Sequence, residues 1–145
     1  MSFRLLSPVG IIPKGSLIGM SVNMMGTAGT GLALSIREHQ RSVFDQYVKA
    51  CRRGTINTDT IVLDGLHQKL LLMPIKTGCV SHPSLEIIET SIKRLWLYMT
   101  ENNIDTVYLP KLGCSEGPRS LDFDEDIIPL LTKYFLDTDF TIYIY

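Results

Sequence analysis

Gly26, Gly29 and Gly31 lie between two apolar runs, Leu17 to Val22 before them and Leu32 to His39 after them. Glycines carry no Cβ, so the backbone N–H groups of such a loop can come close to a bound group. If the first run is a strand and the second a helix, the loop ends at a helix start, where unpaired N–H groups and the helix dipole favour negative charge. That is the outline of a phosphate cradle, with Asn23 at the strand end and Thr27 and Thr30 among the glycines. A second loop of similar composition, Pro110-Lys-Leu-Gly-Cys-Ser-Glu-Gly-Pro118, follows the apolar run Thr106 to Leu109. Neither loop contains a G-x-G-x-x-G fingerprint or a Gly-Lys-Ser/Thr P-loop. Glycines that only turn the chain are equally compatible with this composition.

Both loops need a sheet to position them. Phe3 to Leu6 reads as a short edge strand, and Ser7 to Gly15, with Pro8, Gly10, Pro13 and Gly15, as a loop. Beyond the first glycine loop, Arg41 to Arg53 places Val43, Phe44, Tyr47, Val48 and Cys51 near helical spacing, and Gly54 is a suitable residue to end that helix. Thr60 to Leu63 and Lys69 to Pro74, separated by Asp64-Gly65, predict a hairpin or two neighbouring strands. Pro83 to Asn103 predicts a long helix, opened by Ser81 or His82 and closed by Asn102-Asn103, with Leu85, Ile88, Ile92, Leu95, Trp96 and Met99 as its apolar stripe. A last helix is expected between Asp122 and Phe135. Pro129 forces it either to begin near Ile128 or to kink there. Phe140 to Tyr145 supplies a closing strand. Strands alternating with helices predict an α/β fold with three layers and a mixed central sheet. Ligands in such folds sit beyond strand ends followed by loops of this kind.

Composition narrows the function classes. The chain of 145 residues is 45% hydrophobic and 20% charged with a formal net charge of −1, which predicts one globular domain over residues 1–145 and no basic field for duplex nucleic acid. Cys51, Cys79 and Cys114 form no C-x-x-C pair, which argues against a disulfide framework and a zinc site. No apolar run approaches the ~18 residues of a membrane span, and no signal-peptide core is present. The expected setting is a reducing cytoplasm.

The ordered set Asn23-Met-Met-Gly, Gly31-Leu-Ala-Leu, Leu72-Met-Pro-Ile-Lys-Thr, Leu109-Pro-Lys-Leu-Gly-Cys-Ser and Phe140-Thr-Ile-Tyr-Ile-Tyr resembles the macro domain over residues 17 to 145. Within that family it resembles the branch of terminal ADP-ribose protein glycohydrolases and ADP-ribose-1″-phosphatase-like proteins. The resemblance implies an α/β/α fold and a site for ADP-ribose. Gly26, Thr27, Gly29, Thr30 and Gly31 would hold a phosphate and the distal ribose, and Leu112, Gly113, Cys114, Ser115 and Gly117 would wrap the diphosphate. Asn23 would bind a ribose hydroxyl or cap the loop. It further implies Lys76 as the nucleophile toward the anomeric carbon of a ribose esterified to Glu or Asp, with an acidic residue of the second loop assisting. A solvated lysine or a phosphate counter-charge would equally account for Lys76. No cofactor is expected, and the partner is ADP-ribose or an ADP-ribosylated protein. The same resemblance is compatible with an ADP-ribose-1″-phosphatase, and with a non-catalytic module that binds ADP-ribose or a related NAD-derived nucleotide.

The chain departs from the family pattern at three places. Glu116 stands one position before the expected aspartate, which Gly117 replaces. Ser7 to Pro13 holds no aspartate for the adenine amino group, and the first glycine loop is longer than the usual Met-Gly-x-Gly-Ile-Ala. Among the remaining candidates, Cys79 with His82 lacks a visible third member of a nucleophilic arrangement, and Cys114 reads as a packing residue. His39 and His67 read as surface residues, Trp96 as core, and Tyr145 as half exposed or near the base-binding end.

Overall fold

The structure, a computed structural model, describes residues 3–6, 11–28, 31–78, 80–114 and 120–145. Six strands form one sheet: β1 (Arg4–Leu6), β2 (Leu17–Asn23), β3 (Val62–Asp64), β4 (Lys69–Lys76), β5 (Thr106–Leu109) and β6 (Thr141–Ile144). Their order is β1-β6-β5-β2-β4-β3. Every pairing is parallel except β3 with β4, the hairpin expected around Asp64-Gly65. The helices are α1 (Gly31–His39), α2 (Arg41–Arg53), the short α3 (Thr55–Thr58), α4 (Leu85–Glu101) and α5 (Ile128–Phe135).

Alternation along the strands sends side chains into two cores. Leu17, Leu71 and Met73 pack with α4 and α5 through Ile88, Ile92, Leu95, Leu131 and Phe135. Ile18, Met20, Val22, Leu70 and Leu72 pack on the other face with Ile36 of α1 and Val43, Phe44 and Tyr47 of α2. The period of two in the strands and of three to four in the helices thus closes an α/β/α sandwich. Fully burying one Leu or Ile side chain contributes about 1.5–3 kcal/mol, so each stripe secures its helix to the sheet.

Four local details differ from the expected ones; one is Leu85, which is exposed and not part of the buried face of α4. The cap of α4 is Ser84, not Ser81 or His82: its Oγ accepts from the Ile87 amide at 3.3 Å, and its own N–H donates to the Ile75 carbonyl at 2.9 Å. Trp96 is half-buried rather than core and faces Tyr134 of α5. Ahead of α5 the chain makes a π-helical turn, Phe123–Ile127, so regular helix starts at Ile128 and Pro129 sits in its first turn, where a missing N–H costs little. Asp122 caps that turn by accepting from the Glu125 amide at 3.0 Å, while the Asp126 carboxylate accepts from the Asp122 amide at 2.8 Å.

Pro74 lies inside β4, where a ladder donor would ordinarily be lost. The Leu72 amide donates toward β3, to the Ile61 carbonyl, so Pro74, two residues on, points its nitrogen the same way. The described pairing of β3 stops at Leu71, and no ladder bond is forfeited.

Candidate functional site

β2 and β5 are neighbours near the middle of the sheet, and the chain leaves them toward opposite sides, β2 toward β4 and β5 toward β6. Their register pairing is limited to Ile18 with Tyr108. Such a switch in strand order leaves a crevice beyond the C-terminal strand ends. The two glycine loops begin there, one after Asn23 and one after Leu109.

The first loop is held from behind by three side chains. Asn23 is 6% exposed. Its Nδ2 donates to the Thr27 carbonyl at 3.0 Å and to Thr27 Oγ1 at 2.8 Å, and its Oδ1 accepts from the Met25 amide at 2.9 Å. The Tyr47 hydroxyl, rising from α2, lies 2.8 Å from the Asn23 carbonyl and 3.0 Å from Asn23 Oδ1. Arg37 of α1 reaches back to donate to the Ala28 carbonyl at 2.9 Å. Gly26 has φ +79°, in the left-handed region that favours glycine, and a side chain there would meet Val48 and Cys51 of α2. Burial, followed by the nearby Cys51 thiol, pushes the Tyr47 hydroxyl well above its ordinary pKa, so it stays protonated as a donor. Burial likewise pushes the Cys51 thiol up.

The second loop rests on the start of α4. Gly113 has φ +72°, and a Cβ there would stand 2.9 Å from Ile88 Cδ1 and 3.1 Å from Pro83 Cβ. Leu112 is fully buried, and the Leu121 amide donates to the Gly113 carbonyl at 2.9 Å. Cys114 packs beside this core, and its Sγ donates to the Leu112 carbonyl at 3.3 Å. Burial, then Asp122 and Asp126, raises the Cys114 thiol pKa, which suits a packing residue and not a nucleophile.

Lys76 ends β4 directly opposite Asn23, and the pairing continues one step further where the Met24 amide donates to the Thr77 carbonyl at 3.0 Å. Its side chain is half-buried. The following turn is closed by Ser81, whose Oγ accepts from the Gly78 amide at 3.1 Å. The site thus gathers two backbone-rich loops and one amine at a single edge of the sheet. Among the described residues no group of histidine, cysteine and acidic side chains is placed to hold a metal.

No protein-family model matches the chain. A DNA ADP-ribosyl glycohydrolase of Mycobacterium tuberculosis is 32% identical over 132 residues, covering 85% of this chain and 36% of the relative. The chain therefore spans about a third of the length of the curated relatives it matches. Among solved structures, the macrodomain of Mycobacterium tuberculosis DarG superposes with a TM-score of 0.75 at 27% identity, covering 97% of both chains. The macrodomain of Thermus aquaticus DarG superposes with a TM-score of 0.79 at 22% identity, over 99% of this chain and 97% of that one. This chain is a macro domain.

Within the macro domain, Asn23 and Lys76 end their strands, Gly26, Thr27, Leu112, Gly113 and Cys114 lie in the segments that follow β2 and β5, and Gly31 opens α1. Gly29, Thr30, Ser115, Glu116, Gly117 and Cys79 fall outside the described residues. All the described hydrogen bonds of the Asn23 side chain are with Thr27, Met25 and Tyr47, so its amide holds the loop. Tyr145 uses its hydroxyl to donate to the Gly19 carbonyl at 3.0 Å, tying the end of β6 to the middle of β2. Sequence alone marks Tyr47 only as part of an apolar stripe and Arg37 only as a helix residue, yet both support the first loop. The one available signal is a tyrosine on a buried stripe, because a buried hydroxyl requires a partner.

Proposed function

We propose that this macro domain binds ADP-ribose across its two glycine loops and releases it from ADP-ribosylated DNA. The observation that carries the proposal is the juxtaposition of those loops, after β2 and β5, with Lys76 at the end of β4. Backbone N–H groups of both loops take the diphosphate, and the distal ribose lies toward Asn23 and Lys76. In the reaction the neutral Lys76 amine attacks the anomeric carbon, the bond to the modified group breaks, and that group leaves with a proton. Glu116 supplies or accepts the proton. Water then frees the sugar from the amine.

The names of the curated relatives support DNA as the carrier. With a net charge of −1 the domain gains little from phosphate backbone, so ADP-ribose itself provides the affinity and DNA acts mainly as leaving group. A second carrier, an Asp or Glu ester on protein, uses the same lysine chemistry.

The test is to incubate the protein with an ADP-ribosylated single-stranded oligonucleotide and, separately, with a glutamate-ADP-ribosylated peptide, and to measure free ADP-ribose by mass spectrometry. Release from the oligonucleotide supports the proposal, and release from the peptide alone transfers it to protein esters. ADP-ribose binding without release from either makes the domain a reader. That last reading draws its support from Gly113-Cys-Ser-Glu-Gly117, where the expected aspartate is replaced.

A further inference from the structure

We propose that Tyr47 is a positioning residue of this site: its hydroxyl, presented by α2, keeps the carbonyls of the first glycine loop turned away from the ligand. The inference rests on the reading of the site as one for ADP-ribose.

An anion cradle must present N–H groups outward and keep C=O groups away from the anion. Among the described residues from Asn23 to Ala28, three carbonyls have captors behind them. The Asn23 carbonyl is 2.8 Å from the Tyr47 hydroxyl, the Thr27 carbonyl is 3.0 Å from Asn23 Nδ2 and 3.4 Å from the same hydroxyl, and the Ala28 carbonyl is 2.9 Å from Arg37 Nη1. A trans peptide places each carbonyl opposite the next N–H, so drawing the Thr27 carbonyl inward turns the Ala28 N–H outward.

Tyr47 is 1% exposed, and its ring packs with Phe44 and the sheet as a phenylalanine would. Its hydroxyl donates toward Asn23 and Thr27 and also lies beside the Gly26 backbone and the Cys51 thiol, so most of its polar neighbours belong to the loop. The ring serves the core and the oxygen serves the loop. Because the Asn23 amide is occupied on both sides, the hydroxyl and the amide form one clamp, and losing the hydroxyl takes a donor from the Asn23 carbonyl and loosens the loop it holds.

The experiment compares the wild-type protein with Tyr47→Phe, Arg37→Met and Tyr134→Phe. The last removes a hydroxyl that binds Glu89 on the opposite face of the sheet. Calorimetric titration with ADP-ribose is expected to show about tenfold weaker binding for Tyr47→Phe, the size of one hydrogen bond, with Tyr134→Phe unchanged. In turnover of the ADP-ribosylated oligonucleotide, KM rises for Tyr47→Phe while kcat stays within about twofold, because the amine belongs to β4. Hydrogen exchange at the Met25 and Thr27 amides speeds up in Tyr47→Phe. Arg37→Met, at an exposed position, weakens binding in the same direction without endangering the fold. A purely structural role would lower the melting temperature and leave these readouts alone. Wild-type affinity together with wild-type exchange at Met25 and Thr27 overturns the inference while the functional reading stands. Failure of the wild-type protein to bind ADP-ribose overturns both.

Discussion

Asn23 and Lys76 face each other across β2 and β4 because a bulge brings them level. Val22 pairs with Pro74, and an unbroken register would set Asn23 against Ile75; instead the ladder passes over Ile75. The Ile75 carbonyl goes to the Ser84 amide at the start of α4. A bulge at a strand end commonly re-aims a side chain at a site, and here it sets the residue that holds the loop level with the lysine of β4.

Lys76→Ala is expected to lower kcat on ADP-ribosylated oligonucleotide by at least about a hundredfold, while the dissociation constant for free ADP-ribose stays within about threefold. Single-turnover kinetics and calorimetry check this together. Wild-type turnover by the variant would remove Lys76 from the chemistry.

Ser84→Ala is expected to cost about 1 kcal/mol in denaturant unfolding, the usual worth of a helix cap. The Ser84 backbone bond to Ile75 is retained, so the loss falls on α4 and not on the β4 end.

Gly113→Ala should destabilise more than Gly26→Ala. Both have positive φ, which costs an L-residue about 1–2 kcal/mol. At Gly26 the new methyl would meet neighbours no closer than 3.4 Å, whereas at Gly113 it would stand 2.9 Å from Ile88, adding about 1–3 kcal/mol of overpacking. Chemical denaturation midpoints rank the two.

Lys133 and Tyr134 of α5 both donate to the Glu89 carboxylate of α4, at 2.6 and 2.7 Å. These bonds, Lys133 first, hold Glu89 below its ordinary 4.5, and Glu89 raises Lys133 above 10.5. A depressed acid contributes stability above its unfolded pKa and loses it as pH falls through the folded one; a raised base contributes below its unfolded pKa and loses it as pH climbs past the folded one. The pair therefore acts in full between 4.5 and 10.5. The stability gap between wild type and Glu89→Gln should be widest in that window and close on acidification well below 4.5, as urea midpoints at several pH values would reveal.

Affinity for ADP-ribosylated single-stranded DNA should vary little with salt. A change of no more than about threefold between about 50 and 200 mM, the slope of roughly one phosphate contact, is expected from a domain of this charge. A steep slope measured by anisotropy would reveal a nucleic-acid surface that net charge conceals.

Most of the architecture is legible in the sequence because periodicity survives there: Val43, Phe44 and Tyr47 mark one face of α2, and Ile88, Ile92, Leu95 and Met99 one face of α4. The cap of α4 is not, because Ser81, His82 and Ser84 are all plausible beside Pro83, and only the bond from the Ser84 amide to Ile75 separates them. Pro129 points to an irregularity, but not to the π-helical turn that accommodates it. At the site, the glycines and Lys76 are visible as types in order. The partnership of Tyr47 with Asn23 is hidden, since it spans 24 positions and depends on how α2 lies against β2.

β1 forms one edge of the sheet. Arg4, Leu5 and Leu6 are paired with β6 alone, through Thr141, Ile142 and Tyr143. A three-residue strand with one neighbour can detach while β6, still braced by β5, remains in register. Such fraying would uncover a ready-made parallel docking edge on β6, and an extended segment of another chain could occupy it by strand exchange.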